Sequence, residues 1–334
     1  MNKKILKGII TIIILALLAC IGYSIYRSSN QKTKETGKVL CTVQTNTMEG
    51  NLVTEKFYKV PDRVITTNQT ATELLIKLGL GDKIVGTAYK DNPILPSLKP
   101  EYDKLKVLSD KYPSKEQALA VNPDFIFGWS TAFSDKALGS VKSWNDRGVN
   151  VYVQKNTASE NRPYTVNNVF EDIDNIGKIF NIQDKTTAYV NSLKDNLASI
   201  KSKTDTLKSK KTVLILEAPS NGLYRAYGDS DLAGNMVTLA GGVDLVKAPC
   251  NISAEDIVKY NPDAIFLVTY GAKENAESTA DLKDIFLNNP KLQTVTAVKN
   301  KEINLLPLTD IWAGGVRTVP TVDSLFKELY PNFK

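Results

Sequence analysis

Two acidic residues, Glu116 and Glu255, occupy equivalent places in an internal repeat. Residues 114–127 and 253–266 share Ser, Glu, Asn-Pro-Asp and Ile-Phe in the same register. In each copy the serine predicts a helix N-cap, the Glu lies in the first turn, and the proline ends the helix before a buried strand. First-turn acids are common on solvated surfaces, and this is the role that the residues alone predict for Glu116 and Glu255.

A second set of residues follows the predicted strands and combines cationic with aromatic side chains. Arg and Lys pair with anionic groups, whereas Trp and Tyr cover organic surface and offer N–H or O–H groups. Because ligands of open α/β sheets bind beyond the carboxyl ends of the strands, this set predicts a ligand site, although packing or surface roles would also explain each residue. The candidates are Tyr89, Lys90, Trp129, Lys155, Arg162, Tyr224, Arg225, Tyr227, Tyr270, Trp312 and Arg317, of which Trp129, Arg225 and Trp312 follow the clearest strands.

Composition excludes several kinds of chemistry. The chain has 334 residues, 42% apolar and 23% charged, which suits a two-domain globular protein. It has no His, so His-dependent triads, zinc sites and haem ligation are excluded. No Walker, GxGxxG or GxSxG motif occurs, and we expect neither catalysis nor a resident cofactor or metal. An iron site built from Tyr and carboxylates stays open. The net charge of +6 is spread without basic runs, so no nucleic-acid partner is expected.

Residues 1–37 predict a signal and membrane anchor followed by a polar linker. Lys3 and Lys4 precede an apolar run, and Leu-Leu-Ala-Cys at residues 17–20 resembles a bacterial lipobox, with Cys20 as the lipidated residue. The alternative is an uncleaved helix over residues 8–26, long enough for a hydrocarbon core of about 30 Å. Both predict a chain tethered at the outer face of the cytoplasmic membrane.

The other two cysteines, Cys41 and Cys250, carry no metal or CxxC spacing. They are available to pair outside the cell. The prediction that we favour is two separate small core residues, because a distant pair carries no framework signal.

Strand and helix patterns alternate in both halves of the chain, which indicates sheets covered by helices. We predict an N-terminal α/β lobe over residues 38–163 (lobe one), a helical segment over 164–208 and a C-terminal α/β lobe over 209–334 (lobe two). Within lobe one a long helix is expected over 134–147. The most regular apolar spacing covers 165–180 and predicts the helix that joins the lobes.

The segments Pro-Asp-Arg-Val-Ile at 61–65, Ala-Thr-Glu-Leu-Leu at 71–75 and Leu-Gly-Leu-Gly-Asp-Lys-Ile-Val-Gly at 78–86 resemble the iron-siderophore and cobalamin-binding proteins of ABC importers, the class III periplasmic-binding-protein-like family. The two Asn-Pro-Asp segments resemble theirs as well. The resemblance implies two α/β lobes with parallel-type sheets joined by one long rigid helix.

The resemblance also implies a function. A small-molecule iron chelate would bind between the lobes with modest closure, and Glu116 and Glu255 would dock onto Arg residues of the permease, which works with its ATPase. The binding protein would act as a monomer. The alternatives are cobalamin or haem as ligand, or, from other classes, an anchored extracellular hydrolase or an interaction module.

Overall fold

The structure is a computed structural model that describes residues 37–270 and 276–333. The predicted anchor, with Cys20, lies outside the described residues. Among the helices that are described, none combines the length and the apolar character needed to cross a membrane.

Strands and helices alternate along the described chain, as the sequence patterns predict. The strands are β1 (Cys41–Asn46), β2 (Leu52–Phe57), β3 (Val64–Thr66), β4 (Ile84–Ala88), β5 (Val107–Ser109), β6 (Phe125–Gly128), β7 (Asn150–Val153), β8 (Thr212–Leu216), β9 (Tyr224–Ala226), β10 (Val243–Asp244), β11 (Cys250–Ile252), β12 (Ala264–Thr269) and β13 (Ile303–Pro307). The helices are α1 (Gln69–Lys77), α2 (Lys99–Tyr102), α3 (Lys115–Ala120), α4 (Val141–Asn145), α5 (Val166–Phe180), α6 (Gln183–Thr204), α7 (Leu232–Leu239), α8 (Ala254–Tyr260), α9 (Ala276–Leu287), α10 (Thr296–Lys299), α11 (Leu308–Ile311) and α12 (Thr318–Leu329).

The sheet of lobe one is parallel, with strand order β5-β4-β3-β6-β7. The chain winds outwards from β3 in one direction and then resumes at β6 on the other side. The strand order therefore reverses between β3 and β6, and side chains that follow these strands lie where ligands of open sheets bind. The β1–β2 hairpin is a separate antiparallel pair.

The sheet of lobe two has the order β11-β9-β8-β12-β13 and is mixed. Strands β8, β12 and β13 are parallel, whereas β9 pairs antiparallel with the end of β8. Here the order reverses between β8 and β12. The loops after these strands again form the edge suited to a ligand.

Helix α5 joins the two sheets and supplies one continuous apolar face. Val169, Ile173 and Ile176 are almost fully buried in a core that also contains residues of both sheets. Thr165 caps its start by accepting a hydrogen bond from the Asn168 amide, and Asn181, in the left-handed region, ends it. A helix buried in both lobes restricts how far the lobes can separate.

Two predictions of local structure are corrected. The helix expected over 134–147 is only α4, because Gly139 turns the chain with φ +77° and Ser140 then caps a new helix start. The core role expected for Cys250 is wrong: Cys250 is exposed on edge strand β11, whereas Cys41 is partly buried. Both thiols are free.

Candidate ligand-binding site

Five aromatic rings form a connected belt between the carboxyl ends of the two sheets. In lobe one, Tyr89 packs against Tyr112 and Trp129, with ring centroids 4.8 and 5.3 Å apart. Trp129 meets Trp312 of lobe two edge-on at 6.4 Å, and Trp312 meets Tyr227 at 6.5 Å. We call Tyr112, Tyr89, Trp129, Trp312 and Tyr227 the aromatic belt. It brings four of the predicted residues together and adds one, Tyr112.

Backbone geometry aims the belt. Tyr89 follows β4 with φ +51°, in the left-handed region that a bulky residue rarely adopts, and Ala313, next to Trp312, has φ +62°. Such conformations persist where the surroundings hold them, and they cluster at ligand sites. Position 128, before Trp129, requires glycine because a Cβ there would lie 1.7 Å from the hydroxyl of Thr67, the residue that follows neighbouring β3.

The indole of Trp129 is 6% exposed, and its N–H has no hydrogen-bond partner in the described structure. The neighbouring Thr67 hydroxyl and Asn68 amide nitrogen are also buried without partners. A buried donor without a partner costs about 1–3 kcal/mol. These three groups follow β3 and β6, where the strand order reverses, so a ligand acceptor or a bound water that reached them would gain a hydrogen bond.

Arg225 is the cation that reaches the belt from lobe two. Its guanidinium lies 4.8 Å from the Tyr227 ring centroid and 5.7 Å from that of Trp312. Glu217, which follows β8, accepts hydrogen bonds from Arg225 at 2.7 Å and from the Tyr227 hydroxyl at 2.8 Å. Burial, chiefly, raises the pKa of Tyr227 well above its usual value, so its O–H stays protonated.

On the lobe-one side, the Lys111 ammonium lies 4.4 Å from the Tyr89 ring centroid. Asp91, two residues beyond Tyr89, is 7% exposed. Burial raises the pKa of Asp91 to about 6, and the nearby Lys111 opposes that rise. Sequence motifs did not indicate Lys111, Tyr112 or Asp91 as site residues, nor the ion pair of Glu217 with Arg225. Their positions just after β4, β5 and β8 were the available signal.

Two predicted cations instead hold the lobes together. Arg317 forms a forked pair with Glu73 of lobe one at 2.6 and 2.7 Å, and it also contacts Asp310 at 3.2 Å. Arg162 pairs with Asp231 of lobe two at 2.6 Å. These paired guanidinium groups act as interlobe clamps, so they are not free cations for a ligand.

Polar contacts reinforce the clamps. The Asn92 amide nitrogen donates to the Thr269 carbonyl at 3.2 Å, and the Thr309 amide donates to the Asn92 side-chain oxygen at 3.0 Å. Gln154 donates to the Gly314 carbonyl at 3.1 Å. All three link lobe one to lobe two, which favours small relative movements of the lobes.

None of the other four candidates makes a ring contact with the belt. Lys155 pairs with Glu171 on α5 at 2.9 Å. Tyr224 is in the core of lobe two, 4% exposed and packed against Phe286, because the β9 register turns its ring inward; this placement removes it from the ligand set. Lys90 and Tyr270 are exposed.

The repeat helices differ in their ion pairs. Glu116 and Glu255 are both exposed in the first turns of α3 and α8, and both helices carry a Ser-initiated capping box. Glu255 forms an ion pair with Lys291 at 2.9 Å, which chiefly lowers its pKa. Glu116 has no ion pair with a described residue, and hydrogen bonds from its own amide and from Ser114 lower its pKa.

A shallow concavity elsewhere does not compete with the belt. It is lined by the segment from Phe57 to Pro61 with Asp124 and Asn150, at the amino ends of the lobe-one strands. Within the described residues, no group of three or more Cys, Asp or Glu side chains is placed to hold a metal ion.

Known proteins share this architecture. A structure of a periplasmic binding protein from Veillonella parvula DSM 2008 matches with a TM-score of 0.80 and 30% identity, covering 88% of this chain and 99% of that one. Two Bacillus subtilis (strain 168) proteins are also similar. The uncharacterized ABC transporter substrate-binding lipoprotein YvrC is 24% identical over 82% of each chain. The petrobactin-binding protein YclQ is 25% identical over 83% of each chain.

The model of the periplasmic binding protein family matches residues 64–308. This range contains both sheets, helix α5, the repeat helices and all of the aromatic belt except Trp312. With two α/β lobes, one connecting helix and a ligand-type edge between them, the chain belongs to the periplasmic binding protein family.

Proposed function

We propose that this chain is the substrate-binding component of an ABC importer and that it captures an iron(III)-siderophore complex. The observation that carries the proposal is the aromatic belt, which joins the carboxyl ends of both sheets in a periplasmic binding protein fold. Aromatic rings with N–H and O–H groups suit the organic rim of a chelate. The names of the relatives agree, since one is an ABC transporter substrate-binding lipoprotein and the other binds petrobactin.

The ligand set that we carry forward is smaller than the sequence prediction. It consists of Tyr89, Trp129, Arg225, Tyr227 and Trp312, with Tyr112 and Lys111 added. YvrC and YclQ are both named as binding proteins, and we propose no catalytic role for any residue of this chain.

The proposed partners are the permease and its ATPase. Glu116 and Glu255 project from equivalent turns, one on each lobe, and would each meet a basic residue of the permease. The interlobe clamps would limit closure on the ligand, so recognition would depend on the positions of the two lobes rather than on a wide hinge. We propose an outer-face location with the N-terminal segment as anchor, in line with the lipoprotein name of YvrC.

The test is tryptophan fluorescence of the full-length chain in detergent, titrated with ferric hydroxamate, catecholate and citrate complexes, haem, cobalamin and iron-free chelators. Trp129 and Trp312 lie in the belt, whereas Trp144 is fully buried in lobe one. We expect saturable quenching by one ferric class only. Trp144→Phe is the matched control, which should leave the quenching in place. Binding of haem or cobalamin alone would contradict the iron assignment, and binding of none would contradict the capture role.

Transport is tested separately in cells that carry the importer. Replacing both Glu116 and Glu255 by Gln should abolish uptake while ligand binding persists. Loss of binding in this variant would contradict the docking role.

A further inference from the structure

On the lobe-two side of the aromatic belt, the positive charge is balanced by an acid of the protein itself. On the lobe-two side, the Arg225 guanidinium that stacks on Tyr227 and Trp312 is hydrogen-bonded to Glu217 at 2.7 Å. Glu217 also accepts from Tyr227, so its carboxylate is held beside the belt by two donors. A ligand at Trp312 therefore meets a neutral pair rather than a free cation.

On the other side of the belt, Lys111 lies over the Tyr89 ring and forms no ion pair with a described residue, and the buried Asp91 carboxyl is a nearby opposite charge. The two remaining arginines near the lobe junction, Arg162 and Arg317, are committed to acids across the junction. A site for a strongly anionic ligand would leave its cations unpaired, because charge-assisted bonds to the ligand need available donors.

Ferric chelates differ in charge by class. Three hydroxamate groups, each a monoanion, neutralise Fe³⁺, whereas three catecholate dianions leave a trianionic complex. Bringing a trianion beside Glu217 juxtaposes like charges, which is a common means of rejecting a wrong ligand. A neutral complex avoids this repulsion, packs its organic rim on the rings and offers oxygen acceptors to the unpartnered Trp129 N–H.

We propose that the ligand is an electrically neutral ferric complex of the hydroxamate class, and that Glu217 determines this preference by neutralising Arg225. The proposal rests on the proposed capture of an iron-siderophore complex and narrows its ligand. It assigns Glu217 a role in specificity.

The experiment compares wild type, Glu217→Gln and Glu171→Gln as full-length chains in detergent. Each chain is titrated with a neutral ferric tris-hydroxamate and a trianionic ferric tris-catecholate, followed by tryptophan quenching and by equilibrium dialysis of iron. Glu171→Gln is the matched control, because it also removes one charge from an ion pair, with Lys155, and neither residue contacts a ring of the belt. Circular dichroism checks that all three chains fold alike.

In wild type we expect the tris-hydroxamate to bind at least about tenfold more tightly. In Glu217→Gln the ratio of the two affinities should shift toward the tris-catecholate by about tenfold, the size of one charge-assisted interaction. Glu171→Gln should keep the wild-type ratio. Added salt should affect tris-hydroxamate binding little.

Two results would overturn the charge preference and leave iron capture standing: tighter binding of the tris-catecholate to wild type, or an unchanged ratio in Glu217→Gln. Failure of every ferric complex, with haem or cobalamin bound instead, would overturn the iron assignment itself. The two failures are thus distinct.

Discussion

Lobe one and lobe two carry similar functional groups in different electrostatic states. In lobe one the Trp129 N–H lacks a partner, and Glu116 has no ion pair with a described residue. In lobe two Arg225 is paired with Glu217, and Glu255 is paired with Lys291. A repeated sequence motif therefore does not imply repeated electrostatics.

The difference assigns separate tasks to the lobes. A polar group without a partner can bind a ligand or the permease without first breaking another hydrogen bond or ion pair. The groups of lobe one are therefore suited to increase the affinity of the protein for its ligand and its permease. Groups already paired must exchange or keep their partners, so lobe two is suited to discriminate between ligands and partners. This comparison is tested by variants that each change one lobe, or the junction that holds the lobes together.

The largest expected effect is on the junction. Arg317 is 11% exposed and Glu73 1%, and replacing Arg317 by Met leaves the Glu73 carboxylate buried without its cation. We expect the free energy of unfolding to fall by about 3–5 kcal/mol, measured by urea denaturation. Lys142→Met, which breaks an exposed pair with Asp146, should cost less than about 1 kcal/mol. Equal losses in both variants would show that Arg317 does not act as a clamp.

Two buried carboxyl groups, Asp172 beside lobe one and Asp244 in lobe two, differ in the number of hydrogen bonds that they accept. Asp172, at the lobe-one face of α5, accepts hydrogen bonds from the Tyr152 hydroxyl at 2.8 Å and the Lys155 amide at 3.1 Å. Asp244 in lobe two accepts from the Val246 amide at 2.9 Å, but its second oxygen is buried without a partner. Burial raises the pKa of both carboxyls to about 7.

The sign of the pH effect follows from these values. An unfolded Asp has a pKa of about 3.9, so the folded state binds more protons between about pH 4 and pH 7. The stability contributed by protonated Asp244 is thus fully present below about pH 4 and is lost as the pH rises through about 7. Asp244→Asn removes this loss, because an amide stays neutral beside Asp229 and Asp231.

We expect Asp244→Asn to raise the free energy of unfolding at pH 8 by roughly 1–3 kcal/mol, the cost of a buried group without a partner. At pH 4 the variant should match wild type. Asp172→Asn should gain less at pH 8, because both oxygens of the Asp172 carboxylate accept hydrogen bonds and an amide keeps only one acceptor oxygen. Urea titrations at both pH values decide, and a larger gain for Asp172→Asn would contradict the comparison.

Local patterns predicted most of the fold. Helix α5 matches its predicted range, and strands β6 and β12 follow the two Asn-Pro-Asp segments as predicted, because apolar periodicity and N-capping residues are local signals. The short strands β9, β10 and β11 were missed. They contain two or three residues each and are fixed by pairing with distant strands rather than by their own sequence.

The site was only partly predictable for a related reason. The strand-end positions of Tyr89, Trp129, Trp312 and Arg225 do lie close together in the structure, and their role in ligand binding stays a prediction. Position alone does not reveal the partner of a charge. Arg317 looked like Arg225, but its partner Glu73 lies in the other lobe, and only the packed structure brings them together.

Two hydrogen-bond donors of the belt, the Trp129 N–H and the Tyr227 O–H, differ in whether they already have a partner. Trp129→Phe removes an N–H that is free for the ligand, so we expect affinity for the bound ferric complex to fall about tenfold. Tyr227→Phe removes an O–H that already donates to Glu217, so the fall should be smaller, about threefold or less. Quenching is compromised by the loss of Trp129, so equilibrium dialysis of iron is the measurement. A larger effect of Tyr227→Phe would assign the free donors to lobe two.

The smallest effects are expected from single replacements at the docking surface. Glu116 in lobe one would bind a basic residue of the permease without first losing an ion-pair partner. Glu255 in lobe two would first have to release Lys291, and an exposed ion pair of this kind contributes at most about 1 kcal/mol. Glu116→Gln should therefore reduce ligand-stimulated ATPase activity of the reconstituted importer more than Glu255→Gln does, by a factor of roughly two to five.

Lys291→Met should free Glu255 and raise that ATPase activity slightly, or lower the concentration of binding protein needed for half-maximal stimulation. Lys259→Met, which removes a similarly exposed cation from α8, the helix that carries Glu255, is the control and should have no such effect, because Lys259 pairs with Asp256 rather than with Glu255. If Lys291→Met instead impairs stimulation, Lys291 contacts the permease directly, and the lobe-two surface docks as an ion pair rather than as a single acid.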